Sequence, residues 1–257
     1  MLINAEIIQL STEKFGNSID ENEDSLQVLK SPRKGNYFSC INCAMADGAT
    51  STLFSKLWAD KLTMLAVNYA PSLSKLNKIL SRAQKSWQDE IFNKELPWNV
   101  EEKVKNGSFS SLLWFRLSNY PLNKKHLRWK AIAIGDTNLI ILREKSLIHA
   151  FPLKISAEFG NNPNLLSSKP EKNSFENIKC KEEVWQPGDE FILSTDALAQ
   201  YLLHSIEIGD EEFFRIGNEL FRTKDKSGYF LEWLSSRRMN SQIKNDDTSI
   251  IWIKTFS

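Results

Sequence analysis

Five aspartates stand where apolar segments of the chain begin or end. Asp47 follows CINCAMA, Asp136 follows KAIAIG and Asp196 follows EFILST, while Asp24 precedes SLQVL and Asp246 stands just before TSIIWI. A single aspartate at such a place is usually a turn or cap residue. A carboxylate at the end of a buried strand is costly to desolvate unless it is paired or bound to a metal. Five of them in one chain therefore favour a shared site.

Most of these aspartates have no basic neighbour in the sequence, so a cluster of them would need cations to be stable. Carboxylate oxygens are hard ligands, which select Mg²⁺ or Mn²⁺ over zinc. We therefore predict a pair of divalent ions bridged by carboxylates. Such a pair lowers the pKa of water, holds a phosphate in register and neutralises charge on the displaced oxygens.

The elements that must position these residues follow from hydrophobic periodicity. Strands are predicted at Ala5–Leu10, Ser25–Leu29, Tyr37–Ala46, Ser110–Leu117, Trp129–Ile134, Leu139–Leu142, Ser146–Pro152, Glu190–Ser194 and Ser249–Lys254. Helices are predicted over Phe54–Leu65 and Leu73–Ile91, and in a second block between Asp196 and Leu234. This order predicts an α+β fold: a four-layer α/β/β/α sandwich of two antiparallel sheets flanked by helices.

The length and composition predict a single domain over residues 1–257, because 41% of the residues are hydrophobic and no segment reads as a linker. The segment from Glu158 to Glu183 is rich in Asn, Ser, Lys and Pro, and Pro163 and Pro170 would interrupt a strand ladder. We predict that this segment is an exposed loop or flap.

Charge and cysteine content bound the environment. The net charge is +1, so no global field would attract nucleic acid or an anionic membrane, and we expect neither as a partner. No signal sequence or long apolar stretch is seen, which leads us to expect a cytoplasmic protein.

Three cysteines argue against a disulfide framework. Cys40 and Cys43 form a CxxC in a predicted strand, where their side chains point to opposite faces, so we interpret them as buried structural thiols.

In order and spacing, the aspartate-bearing segments resemble the motifs of the PPM family, the protein phosphatase 2C-like serine/threonine phosphatases of bacterial type. GNSIDENEDS (16–25) resembles the family's NED motif and CAMADGATS (43–51) its DG motif. AIAIGDTNLIILR (131–143) resembles the GDS-type hairpin, GDEFILSTDALAQYLL (188–203) the GD…SDG motif, and NDDTSIIWI (245–253) the last strand. The resemblance spans nearly the whole chain.

The resemblance implies a role for each matching residue. Asp47 would bridge two Mn²⁺ or Mg²⁺ ions, and Glu23 would orient a water molecule at the metals. Asp136 would bind a third, weaker ion, although a hairpin-turn aspartate is an alternative reading. The remaining metal ligands would be the Gly48 carbonyl, Asp24, Asp196 and Asp246.

The sequence departs from the family at the phosphate. Where the family usually has a phosphate-binding arginine, this chain has Ile19. Either the metal ions alone bind the phosphate, or Arg33 or Lys34 takes the place of the arginine. The DG motif continues as Ala49–Thr50, so no general acid is visible there.

Two functions therefore stay open. The first is a metal-dependent phosphatase acting on a phosphoprotein, with a cognate serine/threonine kinase or its targets as partner. The second is an inactive phosphatase-like domain that binds phosphoproteins or regulates them. None of the histidines, which are His126, His149 and His204, matches a motif.

Overall fold

The computed structural model describes residues 2–119, 127–160 and 162–257, apart from the side chains of residues 32–34 and 99. The strands are β1 Ile3–Thr12, β2 Asp24–Lys34, β3 Tyr37–Asp47, β4 Phe109–Ser110, β5 Leu112–Asn119, β6 Leu127–Ile134, β7 Asn138–Arg143, β8 Ser146–Phe151, β9 Leu166–Ser167, β10 Lys179–Val184, β11 Glu190–Ser194 and β12 Thr248–Phe256. The helices are α1 Ser55–Ala66, α2 Leu73–Phe92, α3 Trp98–Val104, α4 Asp196–Glu207, α5 Glu212–Arg222 and α6 Lys226–Met239. Short 3₁₀ helices lie at Ile19–Glu21, Ser156–Glu158 and Pro170–Lys172.

The strands pair antiparallel in the order β10-β6-β5-β3-β1-β12-β11-β7-β8, with β2 on the other side of β3. The ladder falls into two halves, β2-β3-β5-β6-β10 and β1-β12-β11-β7-β8. Between the halves, β1 and β3 pair only at Ile3–Phe38 and Asn4–Tyr37. The predicted two sheets are thus the two halves of one ladder, which share this short seam.

Burial shows that the two halves pack face to face. The central core combines inward residues of β3, β5 and β6 with those of β1, β7, β11 and β12, as Phe115 against Phe191 illustrates, with ring centroids 5.5 Å apart. A second apolar cluster packs α1 and α2 against the outer face of one half, and a third packs α4, α5 and α6 against the other. The predicted α/β/β/α sandwich is therefore confirmed.

The helices form where apolar residues recur at helical spacing. In α2, Leu76, Leu80, Ala83 and Trp87 are buried on one stripe. The hydroxyl of Ser72, directly after Pro71, accepts the Lys75 amide hydrogen at 3.4 Å and caps the first turn. The predicted helical segment Leu73–Ile91 therefore agrees with the structure.

The predicted flap contains more regular structure than expected. Leu166 and Ser167 pair with Ser110 and Phe109 in a two-stranded sheet, and β10 forms the edge of the large sheet beside β6. β10 reads KCKEEV, and such a charged, exposed strand lacks the apolar alternation that marks a strand in a sequence. Both prolines lie outside the strands, and Pro170 begins a 3₁₀ helix. Outside this segment, the short helix α3 is likewise absent from the elements that the sequence predicts.

Cys40 and Cys43 are both buried and free. Burial raises the pKa of the Cys43 thiol, which lies in the core between the sheets. The Cys40 thiol contacts the Ser31 hydroxyl at 3.2 Å. Their interpretation as structural thiols agrees with this placement. Within the described residues, no helix combines the length and apolar character needed to span a bilayer.

Candidate metal centre

Five of the predicted site residues line one cavity of about 460 Å³ at the ends of the strands. They are Asp47, Gly48, Asp136, Asp196 and Asp246. The rest of the wall consists of Ala49–Ser51, Lys244 and part of the predicted flap, namely Gly160, Asn162, Pro163 and Leu165. Asp24 and Glu23 lie beside this cavity rather than in its lining.

The β2–β3 hairpin brings Asp24 and Asp47 together. The two residues lie directly opposite each other at the open end of the ladder, so their side chains project from the same face. The backbone of Asp47 is held by two serines: its amide donates to the Ser111 hydroxyl at 2.9 Å, and its carbonyl accepts from the Ser110 hydroxyl at 2.8 Å. The bridging ligand of the prediction thus stands on a fixed backbone.

Gly48 continues this turn where no larger residue fits. A Cβ atom here would lie 2.9 Å from the Glu23 carbonyl oxygen and 2.9 Å from the Ser55 carbonyl carbon. The Gly48 amide donates to the same Glu23 carbonyl at 3.3 Å. The DG pair therefore packs tightly against the segment that carries Glu23 and Asp24.

Asp24 is almost fully buried, and one of its carboxylate oxygens has no partner. Its Oδ2 accepts from the Thr195 hydroxyl at 3.1 Å, whereas Oδ1 has no hydrogen-bond donor among the described residues. The Thr195 hydroxyl in turn accepts the Ser249 amide hydrogen at 3.0 Å. This chain of contacts joins β2 and β12 to the junction between β11 and α4.

Asp196 is the first residue of α4, and its Oδ1 accepts the Ala197 amide hydrogen at 2.6 Å. The other oxygen, Oδ2, lies 3.5 Å from the Lys244 ammonium group. The same ammonium lies 2.6 Å from Asp246 Oδ2. A basic side chain that the sequence did not single out therefore holds two of the predicted metal ligands.

Asp136 is buried in the turn between β6 and β7. The preceding Gly135 has φ +92°, and a Cβ there would lie 2.6 Å from the Ser111 Cβ, so the turn requires glycine. Asp136 thus serves the hairpin and also lines the cavity. Its geometry fits both readings of the sequence.

Burial and the charges of neighbouring carboxylates raise the pKa of four aspartates at the site. Burial, followed by the charges of Asp24, Asp196, Asp136 and Asp246, holds the pKa of Asp47 well above its usual range.

Three neighbours of Asp47 show the same direction. Burial is again the largest cause, and it raises the pKa of Asp24 to about 8 and that of Asp136 to about 7. The pKa of Asp196 is also raised, by burial first. A site of this kind gains stability from cations.

Glu23 is positioned by residues that the motifs did not reveal. Its carboxylate accepts a hydrogen bond from the Ser55 hydroxyl and lies 3.8 Å from the Lys14 ammonium. The buried Asp247 accepts the backbone amide hydrogens of Glu23 and Lys14, both at 2.8 Å. Asp247 therefore fixes the loop that carries Glu23. Its place directly after Asp246 was the one signal in the sequence.

The other candidates whose side chains are described lie outside the cavity lining. Ile19 is 64% exposed in the β1–β2 loop. His149 contacts the Lys181 ammonium at 3.1 Å, and His204 lies on α4 beside Glu207. His126 lies outside the described residues, as do the Arg33 and Lys34 side chains, so their predictions remain open.

One wall of the cavity is anchored to α4. The Glu207 carboxylate, at the last residue of α4, accepts the Ser156 amide hydrogen at 2.7 Å. Hydrogen bonds from Ser156 lower the pKa of Glu207. The chain runs from Ser156 to Gly160 and Leu165, which line the cavity. α4 thus connects Asp196 to a second segment of the cavity lining.

The donor set fits a hard divalent cation. The cavity offers carboxylate oxygens, and beside it the Asp24 Oδ1 is a buried acceptor that has no donor among the described residues. In the described part of the chain, however, no three His, Cys, Asp or Glu side chains are placed to hold one ion. Two of the carboxylates are instead paired with Lys244. Side-chain rotation would be required to form a complete coordination shell.

Similar structures have the same fold. A serine/threonine phosphatase from S. agalactiae is 12% identical with a TM-score of 0.60, and the match covers 97% of this chain and 99% of that one. The catalytic domain of the serine/threonine protein phosphatase PstP, in complex with 2 manganese ions, is 13% identical with a TM-score of 0.57 and 100% coverage of both chains. RsbX in complex with magnesium is 19% identical with a TM-score of 0.51, covering 99% of this chain and 100% of that one.

Comparison with curated proteins gives no match. Residues 20–244 match the family Protein phosphatase 2C, a range that contains Glu23 and most of the carboxylates of the cavity. The match and the α/β/β/α sandwich agree with each other and with the motifs at the strand ends. The chain belongs to the protein phosphatase 2C family.

Proposed function

We propose that the chain is a divalent-metal-dependent phosphatase that hydrolyses phosphoserine or phosphothreonine monoesters in proteins. The observation that carries the proposal is the environment of Asp47. Its carboxylate lies in a cavity with three other aspartates and opposite Asp24, and burial together with their charges holds its pKa well above the usual range. Such a cluster costs stability, and cation binding is the function that explains it.

Each residue has a defined task in this proposal. Asp47, Asp24, Asp196, Asp246 and the Gly48 carbonyl would bind two Mn²⁺ or Mg²⁺ ions, and Asp136 would bind a third. When bound, such ions lower the pKa of water and neutralise charge on the phosphate oxygens.

The supporting residues keep the ligands in place. Thr195 orients Asp24 through its hydroxyl, and Ser110 and Ser111 hold the backbone of Asp47. Asp247 and Ser55 hold Glu23, whose carboxylate would orient a water molecule.

The relatives support the choice of metal. PstP was solved with 2 manganese ions and RsbX with magnesium, and both share this fold. The partner would be a phosphoprotein, in the company of a serine/threonine kinase that supplies it. The flap residues Gly160, Asn162, Pro163 and Leu165 line the cavity, so this segment would contact the protein around the phosphorylated residue.

The test is hydrolysis of p-nitrophenyl phosphate and of a phosphothreonine peptide. Activity should require Mn²⁺ or Mg²⁺ and disappear in EDTA. Asp47→Asn should lower kcat/KM more than about a hundredfold, because even the outer partners of metal ligands are worth roughly 10–100-fold.

Asp89→Asn is the matched control, since Asp89 is exposed on α2. It should leave kcat/KM unchanged. Full turnover in EDTA, or wild-type kinetics for Asp47→Asn with Mn²⁺, would reject the metal mechanism.

The second candidate is an inactive domain that binds phosphoproteins. It is favoured by the exposed, uncharged Ile19 at the position of the family's arginine. It is also favoured by Lys244, which pairs with two of the predicted metal ligands. If the purified protein binds a phosphothreonine peptide in Mn²⁺ but releases no phosphate from it, this candidate replaces the first.

A further inference from the structure

Lys244 is the one basic side chain in the lining of the carboxylate cavity, as far as the described residues define it. Its ammonium lies 2.6 Å from Asp246 Oδ2 and 3.5 Å from Asp196 Oδ2. Burial lowers the pKa of Lys244, but its hydrogen bond to Asp246 and the charges of both carboxylates outweigh this and raise it. The side chain is thus a cation bound where the proposed function requires divalent ions.

The backbone on both sides of Lys244 is fixed. Ile243 is buried in the core under α4–α6, and Asn245 exchanges hydrogen bonds with the backbone of Phe15 at 2.7 and 3.2 Å. On the far side, the Arg238 guanidinium donates to the Asp246 carbonyl and, at 2.9 Å, to the Thr248 hydroxyl. The turn therefore presents Lys244 to the carboxylates from a constrained position.

The competition follows from the ligand set. Asp196 Oδ1 is engaged by the Ala197 amide, and Oδ2 faces Lys244. One oxygen of Asp246 accepts from the Asp247 amide at 3.1 Å, and the other holds Lys244. A metal ion that uses the free lone pairs of either group would lie close to the ammonium charge.

We propose that Lys244 is a tethered counter-ion for Asp196 and Asp246, and that a divalent ion gains full use of these two carboxylates only when the ammonium group leaves them. The inference rests on the proposed function. It adds that the chain itself sets the metal concentration at which the site fills. In the metal-free protein Lys244 neutralises these two carboxylates. In the metal-loaded protein the lysine is free at the mouth of the cavity.

The size of the effect can be estimated from Coulomb's law. A single charge and a divalent ion about 6 Å apart in a water-like dielectric repel each other by an energy worth about tenfold in a dissociation constant. The Lys244 side chain is 54% exposed, so the water-like value is the appropriate one. An ordinary surface ion pair, in contrast, would leave metal affinity nearly unchanged.

The experiment is calorimetric titration of Mn²⁺ into metal-free protein. Lys244→Gln should bind Mn²⁺ about tenfold more tightly than the wild type at one site at least. Lys244→Arg keeps the charge and should stay within about twofold of the wild type. Lys145→Gln is the matched control, because Lys145 is similarly exposed, pairs with Glu211 at 3.1 Å and lies outside the cavity lining.

A second readout is thermal stability. Without metal, Lys244→Gln should melt below the wild type, since two carboxylates lose their counter-ion, and added Mn²⁺ should raise its Tm by more than that of the wild type. If this variant can be purified only with metal, competition with EDTA gives the same dissociation constants.

The outcomes separate the two proposals. If Mn²⁺ binds the wild type and Lys244→Gln equally, or binds the variant more weakly, the counter-ion role is wrong and the proposed function stands. If Lys145→Gln tightens binding as much as Lys244→Gln, the effect is general charge and the role is again wrong. If none of the proteins binds Mn²⁺, both proposals fall.

Discussion

The raised pKa of Asp24 predicts that the metal-free protein loses stability as the pH rises towards 8. Below about pH 4 the carboxyl is protonated in both the folded and the unfolded chain. Above that, the unfolded chain releases its proton, while the folded chain keeps it up to a pKa of about 8. The folded state then binds more protons, so the free energy of unfolding falls with rising pH. The sign is the reverse of that for a salt-bridged carboxylate.

The magnitude follows from the same pKa. Each pH unit within this window changes the free energy of unfolding by about 1.4 kcal/mol for one group. Between pH 5.5 and 7.5, Asp24 accounts for a loss of about 2–3 kcal/mol, and Asp136, with a pKa of about 7, adds about 2 kcal/mol. For a protein of this size, 1 kcal/mol corresponds to roughly 2–4 °C in Tm.

The assay is urea unfolding in EDTA at a series of pH values, with Asp24→Asn as the perturbation. Asparagine is uncharged and keeps an oxygen for the Thr195 hydroxyl. Its loss of stability from pH 5.5 to 7.5 should be smaller than that of the wild type by about 2–3 kcal/mol. At pH 7.5 without metal, the variant should be the more stable protein. With saturating Mn²⁺ the pH dependence of the wild type should flatten, because a bound cation keeps the carboxylates ionised in the folded state.

Glu182→Gln is the control, because this carboxylate pairs with Arg128 and Lys130 on the exposed edge of the sheet. It should shift stability by less than about 1 kcal/mol at any pH. The reasoning is refuted if the wild type in EDTA is equally stable at pH 5.5 and 7.5. It is also refuted if Asp24→Asn keeps the full pH dependence of the wild type.

Two further predictions concern the frame of the site. Asp247→Ala leaves the amides of Lys14 and Glu23 without their acceptor and should lower the free energy of unfolding by about 2–4 kcal/mol in urea; an unchanged midpoint would show that water replaces the carboxylate. Gly217→Ala places a Cβ 1.9 Å from the Trp252 ring and should lower the free energy of unfolding by about 1–3 kcal/mol, although alanine has the better helix propensity. Gly160→Ala, whose Cβ would meet no atom of the described residues within 4 Å, should lower it less in the same urea titration. Equal stability of the two glycine variants would contradict the packing of α5 on β12.

The apolar periodicity was sufficient to predict the layers. β3 and α2 each carry long patterns, one with a continuous buried run and one with a stripe at helical spacing, and burial alone determines both. The strand ends are also visible in the sequence, which is sufficient to assign Asp47 and Asp196 to the candidate site. The two-residue pairing of β4 with β9 was not predictable, because two residues show no period.

The partners of the carboxylates could not be predicted, because they depend on contacts between distant segments. Lys244 reaches Asp196 across 48 residues, and Asp247 holds Lys14 across 233. In the sequence, Lys244 is one lysine in an exposed loop, and Asp247 is a second acid in a row. The turn that Arg238 holds directs Lys244 to the cavity and Asp247 to the β1–β2 loop, and only the structure shows this.

The anchoring of α4 at both ends also limits how the cavity can change shape. Asp196 begins this helix and Glu207 ends it, and twelve helical residues span about 18 Å. Ser156 ties the far end to the chain that returns to the cavity at Gly160. The helix, the hydrogen bond between Ser156 and Glu207, and the segment from Ser156 to Gly160 thus start and end at the cavity. A displacement of Asp196 along the helix axis would therefore also move the segment that lines the cavity at Gly160. The position of this carboxylate and the width of the cavity entrance should vary together.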